Sequence, residues 1–468
     1  MVVPIINTNG PDIYMVNYKR DFPLVGTYVE QDDPDAGASG KMSKYLGELL
    51  KAPPGGTRYT DVIILNHGFW KDIPAASDDF VSWINGWWPC RPAGLLDSDF
   101  NPLVVATHWP SNPLGDGTAD QLTANAVSAS ASAPSDQQTI AQLVPNQAAQ
   151  PALVQALGLV LPFARTAQSG TAMPDDLVAA INAALAEAQA GDGLASAPMA
   201  PVAKGTSWGD FQDQVWKLAM NWTGIGAYIL AFLIGFVFPV GSLVFSYYAS
   251  SAQTFGQQAV LPLAQSLAAA LPAAPPRFHV MGHSLGTGVV SEMLLANQQA
   301  GKGPEFGLIL LAQGAIPSWS YANNIPFASI DGSRVPGQFS TVPADAKVAG
   351  GPLLATYSSR DQMVGTLYFI VATAKGWYGS GQDDPNESSY DYRGLGNEGF
   401  SGEVTNGAGA STEAIVVGPD AVTLPSTYGA GQVYSLDGKT YISGHSDICG
   451  PQVGGAFWAG LAAAVAGS

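Results

Sequence analysis

Gly282-His283-Ser284-Leu285-Gly286 has the G-x-S-x-G spacing that holds a serine hydroxyl on a sharp strand-to-helix turn. Glycines two before and two after the serine are needed because side chains there would collide inside the turn. A serine presented in this way can attack a carbonyl and carry the acyl group covalently. The same spacing recurs at Gly205-Thr206-Ser207-Trp208-Gly209, so spacing alone does not choose between them. Context does. Ser284 follows the apolar run 277–282 and precedes a helical pattern over 285–299 with a small-residue face of Gly286, Gly288 and Val289. Ser207 follows a Pro- and Ala-rich stretch with no strand pattern, and 207–214 reads as a helix start capped by Ser207 or Asp210.

The elements that would position Ser284 follow from periodicity. Continuous apolar runs at 61–66, 102–106, 277–282, 306–312 and 352–358 predict buried parallel strands. Helical patterns at 77–88, 257–271 and 285–299 lie between them, so the fold class is α/β, a mostly parallel sheet flanked by helices. Roughly 170 residues separate the second and third of these strands, where a strand-helix-strand unit takes about 30. The segment 111–250 is therefore expected to be a largely helical cap inserted into a core made of 1–110 and 251–468. It has a helix at 175–189, opened by Asp175-Asp176 and closed near Gly191, and a loose linker at 118–136. The Gly-rich span 376–430 is expected to be a long loop region, Lys439–Ile442 a strand, and a helix is expected from about Gly450.

Asn66-His67-Gly68-Phe69, the serine turn, Ser359-Arg360-Asp361-Gln362-Met363-Val364-Gly365 and Gly444-His445-Ser446-Asp447-Ile448 together resemble the α/β-hydrolase superfamily. Thr107-His108-Trp109-Pro110-Ser111 and Arg393-Gly394-Leu395-Gly396-Asn397-Glu398-Gly399 look like a sparsely characterised subgroup of it. The resemblance covers roughly 60–110 and 251–468 and leaves the cap without a matching pattern. It implies the α/β-hydrolase fold, with the cap between the fourth and fifth strands, and a triad carried onto Ser284, Asp361 and His445.

In that fold the acid and then the histidine follow the serine along the chain. Of the five histidines only His445 lies after Ser284. Asp361, just beyond the strand at 352–358, is placed to orient the imidazole; Asp331 and Asp447 are its rivals, the latter too close to His445 in sequence. The oxyanion donors are expected to be the amides of Leu285 and Phe69. His67, His279 and His283 read as structural, although His283, beside the serine, also joins Trp70, Phe232 and Phe236 among the residues expected to touch substrate.

The chain has 468 residues, of which 47% are hydrophobic and 12% charged, enough for one large domain with an insertion. A net charge of −18 disfavours nucleic acid and anionic lipid headgroups over most of the surface. Two cysteines, Cys90 and Cys449, exclude a disulfide framework and read as buried free thiols; with scattered histidines no metal cluster is expected, and no cofactor is implied. Met1–Asn9 does not read as a signal peptide, which points to a cytoplasmic or peripherally membrane-associated protein.

No charged residue occurs between Lys217 and Arg277, and 224–249 is almost wholly apolar or aromatic. A single membrane span would put strands of one sheet on opposite sides of a bilayer, and Pro239 divides the stretch. It is expected to be a hairpin roofing the site and lining an acyl pocket, a surface dipping into lipid, or buried core or an oligomer contact. The function expected from all of this is hydrolysis of carboxylic esters with an apolar acyl or aromatic part. The alternatives are an amidase or peptidase with the same triad, and a non-catalytic membrane-associated binding protein.

Overall fold

A computed structural model describes residues 10–20, 27–33, 36, 39–69, 71–91, 93–94, 96, 100–111, 152, 155–156, 158–159, 171–191, 202–207, 248–330, 333–361, 363–367, 393–418, 428–429 and 431–467. Its elements run β1 (Ile13–Arg20), β2 (Tyr28–Glu30), α1 (Met42–Lys51), β3 (Asp61–Asn66), α2 (Ile73–Trp87), β4 (Pro102–His108), α3 (Asp175–Gly191) and α4 (Leu261–Ala270). Then follow β5 (Arg277–His283), α5 (Gly286–Ala300), β6 (Phe306–Ala312), β7 (Leu353–Tyr357), α6 (Leu395–Glu398), β8 (Ile415–Val417), β9 (Val433–Asp437) and α7 (Pro451–Gly467). Two short hairpins, 325–330 with 333–335 and 403–405 with 411–413, stand apart from the main sheet. The chain divides into two compact units, Met1–Ser111 with Tyr248–Ser468, and Asn112–Tyr247; α3 belongs to the second.

The nine-stranded sheet has the order β8-β9-β7-β6-β5-β3-β4-β1-β2. Every neighbouring pair is parallel except the edge hairpin β1–β2. The central strands are buried along almost their whole length because helices cover both faces, which is why they read as largely apolar runs. On one face α2 and α7 pack with Ile63, Leu65, Met281, Leu310 and Leu354 into a core rich in Trp83, Trp87 and Trp458. The indole N–H groups there are used: Trp87 donates to the Ile448 carbonyl at 2.8 Å and Trp458 to the Trp87 carbonyl at 2.7 Å. On the other face α4 packs between α1 and α5.

Some local expectations need correction. Lys439–Ile442 is a turn, not a strand: Tyr441 and Ile442 both donate their N–H to the Gly438 carbonyl, and the strand is β9, five residues earlier. The span 376–430 is not uniformly loop, since it holds α6, the second hairpin and the edge strand β8. Cys90 and Cys449 are free thiols as expected but only half-buried.

At the end of the sheet opposite Ser284, Asp61 is fully buried and binds Arg277 Nε at 2.8 Å and His279 Nε2 at 2.9 Å. Burial alone would raise this carboxyl; the bonds from His279 and Arg277 outweigh it and hold it at about 2, below the ordinary 3.8. A depressed carboxylate stabilises the fold above its unfolded value and loses that contribution as pH falls through the folded one. Asp61→Asn therefore lowers the unfolding free energy by about 2 kcal/mol at neutral pH. The difference from wild type closes between roughly pH 4 and pH 2, as denaturant midpoints across that window would record. A gap independent of pH would show that Asp61 acts through packing alone.

Candidate active site

The chain leaves β3 toward β4 on one side and returns through β5 on the other, so the order in which strands are added reverses between β3 and β5 while all three stay parallel. Loops diverge at such a point and leave a crevice above the carboxyl ends of the two strands. Ser284 follows β5 directly and Gly68 follows β3 by two residues.

Ser284 has φ 57, a left-handed value that is uncommon for a residue with a side chain and costs on the order of 1–3 kcal/mol. Its surroundings enforce it. The Ser284 N–H donates to the Ala312 carbonyl at 3.1 Å, and its carbonyl accepts from Ala315 N–H at 3.0 Å and Thr287 Oγ1 at 2.6 Å. A Cβ on Gly282 would lie 2.2 Å from the Gly286 carbonyl oxygen, and one on Gly286 would lie 2.5 Å from the Asn66 oxygen. Both glycines are thus dictated by contact, as the spacing argument required.

His445 Nε2 lies 2.8 Å from Ser284 Oγ, and its Nδ1 lies 2.8 Å from Asp361 Oδ2. A carboxylate can only accept, so the Nδ1 atom carries the proton and the Nε2 lone pair faces the serine hydroxyl. Asp361 is fully buried, Ser284 is 7% exposed, and the His445 side chain is 15% exposed. The structure thus joins the three residues in one hydrogen-bonded chain. Asp361 sits in the turn after β7, while His445 follows β9, and the two strands pair in parallel. Ser358 Oγ donates to the Ile442 carbonyl at 2.8 Å, tying the two loops together. Asp447 turns away and accepts from Ser443 N–H at 2.9 Å. Asp331 lies outside the described residues.

Phe69 follows the β3 end, and Leu285 is the N-cap residue of α5, at the helix end whose first N–H groups have no partner within the helix. The His67 ring is fully buried, and burial holds it well below the usual histidine range, so it is neutral. It accepts from Trp109 N–H at Nε2, which leaves Nδ1 to donate to the Gly68 carbonyl at 2.8 Å. In a trans peptide the carbonyl and the next N–H point opposite ways, so His67 also sets the direction of the Phe69 amide. Gly68 must be glycine for closeness: a Cβ there would lie 2.5 Å from Ser284 Cβ.

His283 lies beneath the His445 ring. It is 4% exposed, its ring lies against Trp83 and His445, and its Nε2 donates to the His445 carbonyl at 2.9 Å. Burial, with His445 close by, pushes it down to about 3 and keeps it neutral, so it supports the histidine loop from beneath. Trp70, Phe232, Phe236 and the stretch 224–247 lie outside the described residues. Ser207 pairs with Ala172 in an isolated antiparallel bridge in the second unit. Its neighbours 208–214 also lie outside the described residues. Gln313 and Asn397, which no spacing rule marks, reach the acid turn. Among the described residues no group of three or more His, Cys, Asp or Glu side chains comes together as a metal site. Likewise no described helix is long and apolar enough to cross a membrane.

No known family, no curated protein and no solved structure matches this chain.

Proposed function

We propose that this chain is a serine hydrolase of the α/β-hydrolase fold that cleaves carboxylic esters with an apolar acyl or aromatic part, with 111–250 as an inserted cap. The observation that carries the proposal is the unbroken chain Ser284 Oγ, His445, Asp361 Oδ2, with both contacts at 2.8 Å, above the point where the strand order reverses. Ser284 attacks the carbonyl as His445 takes its proton at Nε2. Asp361 stabilises the imidazolium that forms. The amides of Phe69 and Leu285 receive the oxyanion, His445 returns the proton to the leaving alcohol, and water then cleaves the acyl-enzyme by the same route. The apolar preference rests on the uncharged, aromatic-rich sequence of 224–249, a composition that equally suits contact with a lipid interface.

Active-site labelling of the wild-type chain with a fluorophosphonate, followed by a series of p-nitrophenyl esters of rising acyl length, tests this directly. Each buried methylene contributes about 0.8 kcal/mol, so a few added carbons raise kcat/KM by roughly tenfold or more until the pocket is full. Absence of labelling removes the hydrolase proposal. Labelling with a flat chain-length profile removes the apolar substrate class and keeps the chemistry.

A further inference from the structure

The segment Arg393–Gly399 carries no part of the chemistry above, yet it wraps the turn that holds Asp361. Leu395 N–H donates to the Ile316 carbonyl at 2.7 Å and Gly396 N–H to the Gly314 carbonyl at 2.9 Å, docking the segment on the loop after β6. The Gly396 carbonyl accepts from Ser358 N–H at 2.9 Å. Asn397 Nδ2 donates to the Ser358 carbonyl at 3.3 Å and the Asp361 carbonyl at 3.2 Å, bracketing the acid turn. Arg393 and Glu398 close the segment as an ion pair.

Gln313, the residue after β6, completes the arrangement. Its backbone is left-handed, with φ 45, and it is fully buried. Thr356 Oγ1 accepts from Gln313 N–H at 3.1 Å and donates to Gln313 Oε1 at 3.2 Å. Gln313 Nε2 donates to Asp361 Oδ2 at 2.8 Å and to the Gly396 carbonyl at 3.0 Å. The amide orientation is settled by these partners, since a flip would set its oxygen against a carboxylate and a carbonyl. Asp361 Oδ2 therefore accepts from two donors at once, Gln313 and His445.

We infer that Gln313 and Asn397 are positioning residues, which with the 393–399 turn hold the Asp361 carboxylate in register with His445. The kinetic consequence rests on the serine-hydrolase proposal; the geometric one does not. Two of these segments, 313–316 and 393–399, are separated in sequence from both Asp361 and His445, and the side chains of Gln313 and Asn397 both reach the turn that holds Asp361. Without the Gln313 donor, Asp361 Oδ2 keeps its charge undivided, attracts the imidazolium more strongly, and is free to drift from the Nδ1 line. Among the described residues, the other charged or titratable groups nearby include His283 under the His445 ring, Lys71 acting on His283, Arg360 beside Asp361 in sequence, the Arg393–Glu398 pair, and Asp447 bonded to Ser443.

The test compares wild type with Gln313→Met, of similar length but without the donor, and with Gln313→Glu, which sets a second carboxylate against Asp361. Steady-state turnover of a p-nitrophenyl ester is measured beside NMR titration of the His445 ring in histidine-labelled protein. Gln313→Met is expected to lower kcat roughly ten- to hundredfold with KM within about twofold. It is also expected to move the His445 titration upward by roughly half to one pH unit, and Gln313→Glu to move it further. Unmoved titration in both variants with kcat near wild type overturns the inference, as does a loss of melting temperature with titration and kcat unchanged. A shifted titration in a protein that no fluorophosphonate labels keeps the positioning role and removes the hydrolase proposal.

Discussion

Ser284→Ala abolishes covalent labelling by a fluorophosphonate and lowers kcat for an ester by roughly 10⁶-fold, because the members of such a triad act as a unit. The hydroxyl is the one group of the proposed triad that can form the acyl bond, and no described neighbour replaces it: Thr287 Oγ1 is committed to the Ser284 carbonyl at 2.6 Å. Folding is not expected to suffer, because the left-handed turn is held by backbone bonds to Ala312 and Ala315 that alanine keeps. Ser207→Ala leaves labelling and turnover intact, since that serine lies in an isolated bridge with Ala172 and follows no strand. Labelling retained in Ser284→Ala, mapped by mass spectrometry to another residue, would sink the assignment of the nucleophile.

Asp361→Asn lowers kcat by roughly 10⁴-fold at the pH where wild type is most active. An amide cannot meet the demands made on this carboxylate. Oδ2 accepts from His445 and Gln313, and Oδ1 accepts from Val364 N–H at 3.2 Å. With its oxygen toward His445, the amide sets its NH₂ against the Val364 N–H and has no charge with which to stabilise the imidazolium. Reversed, it donates to His445 and selects the tautomer with no lone pair for Ser284. His445→Ala is expected to cost about as much as losing the serine, and wild-type kcat/KM falls at low pH as His445 takes up a proton. Turnover of p-nitrophenyl acetate across the pH range measures all of these. Near-normal rates in Asp361→Asn with loss in Asp331→Asn would reassign the acid, and a plateau reaching roughly pH 4 would exclude a histidine base.

Much of the sheet was legible along the chain for a simple reason. Strands buried on both faces are apolar through their middles, so 61–66 and 306–312 match β3 and β6 residue for residue. The strands near the edges were not legible. β1 mixes Asn17, Lys19 and Arg20 with its apolar residues, β8 is three residues long, and β9 was displaced to 439–442 by the apolar Tyr441 and Ile442. Ile442 is buried, but as an anchor beneath a turn, and nothing local separates that from a strand residue.

The proposed site divides in the same way. Gly282 answers a steric demand made within five consecutive residues and Gly286 one made by the end of β3, yet both leave the same local spacing, so spacing and context found the serine without any structure. Asp361 and His445 came from their order along the chain, because only a fold makes residues so distant in sequence into neighbours. Gln313, Asn397 and the supporting role of His283 were decided by tertiary structure alone. Each is defined by a partner on another segment: Asp361 for Gln313, Ser358 for Asn397, the His445 carbonyl for His283. A hydrogen bond between segments far apart in the chain leaves no period and no spacing in either of them, so it exists as information only once the β-strands have paired and brought the loops to one end of the sheet.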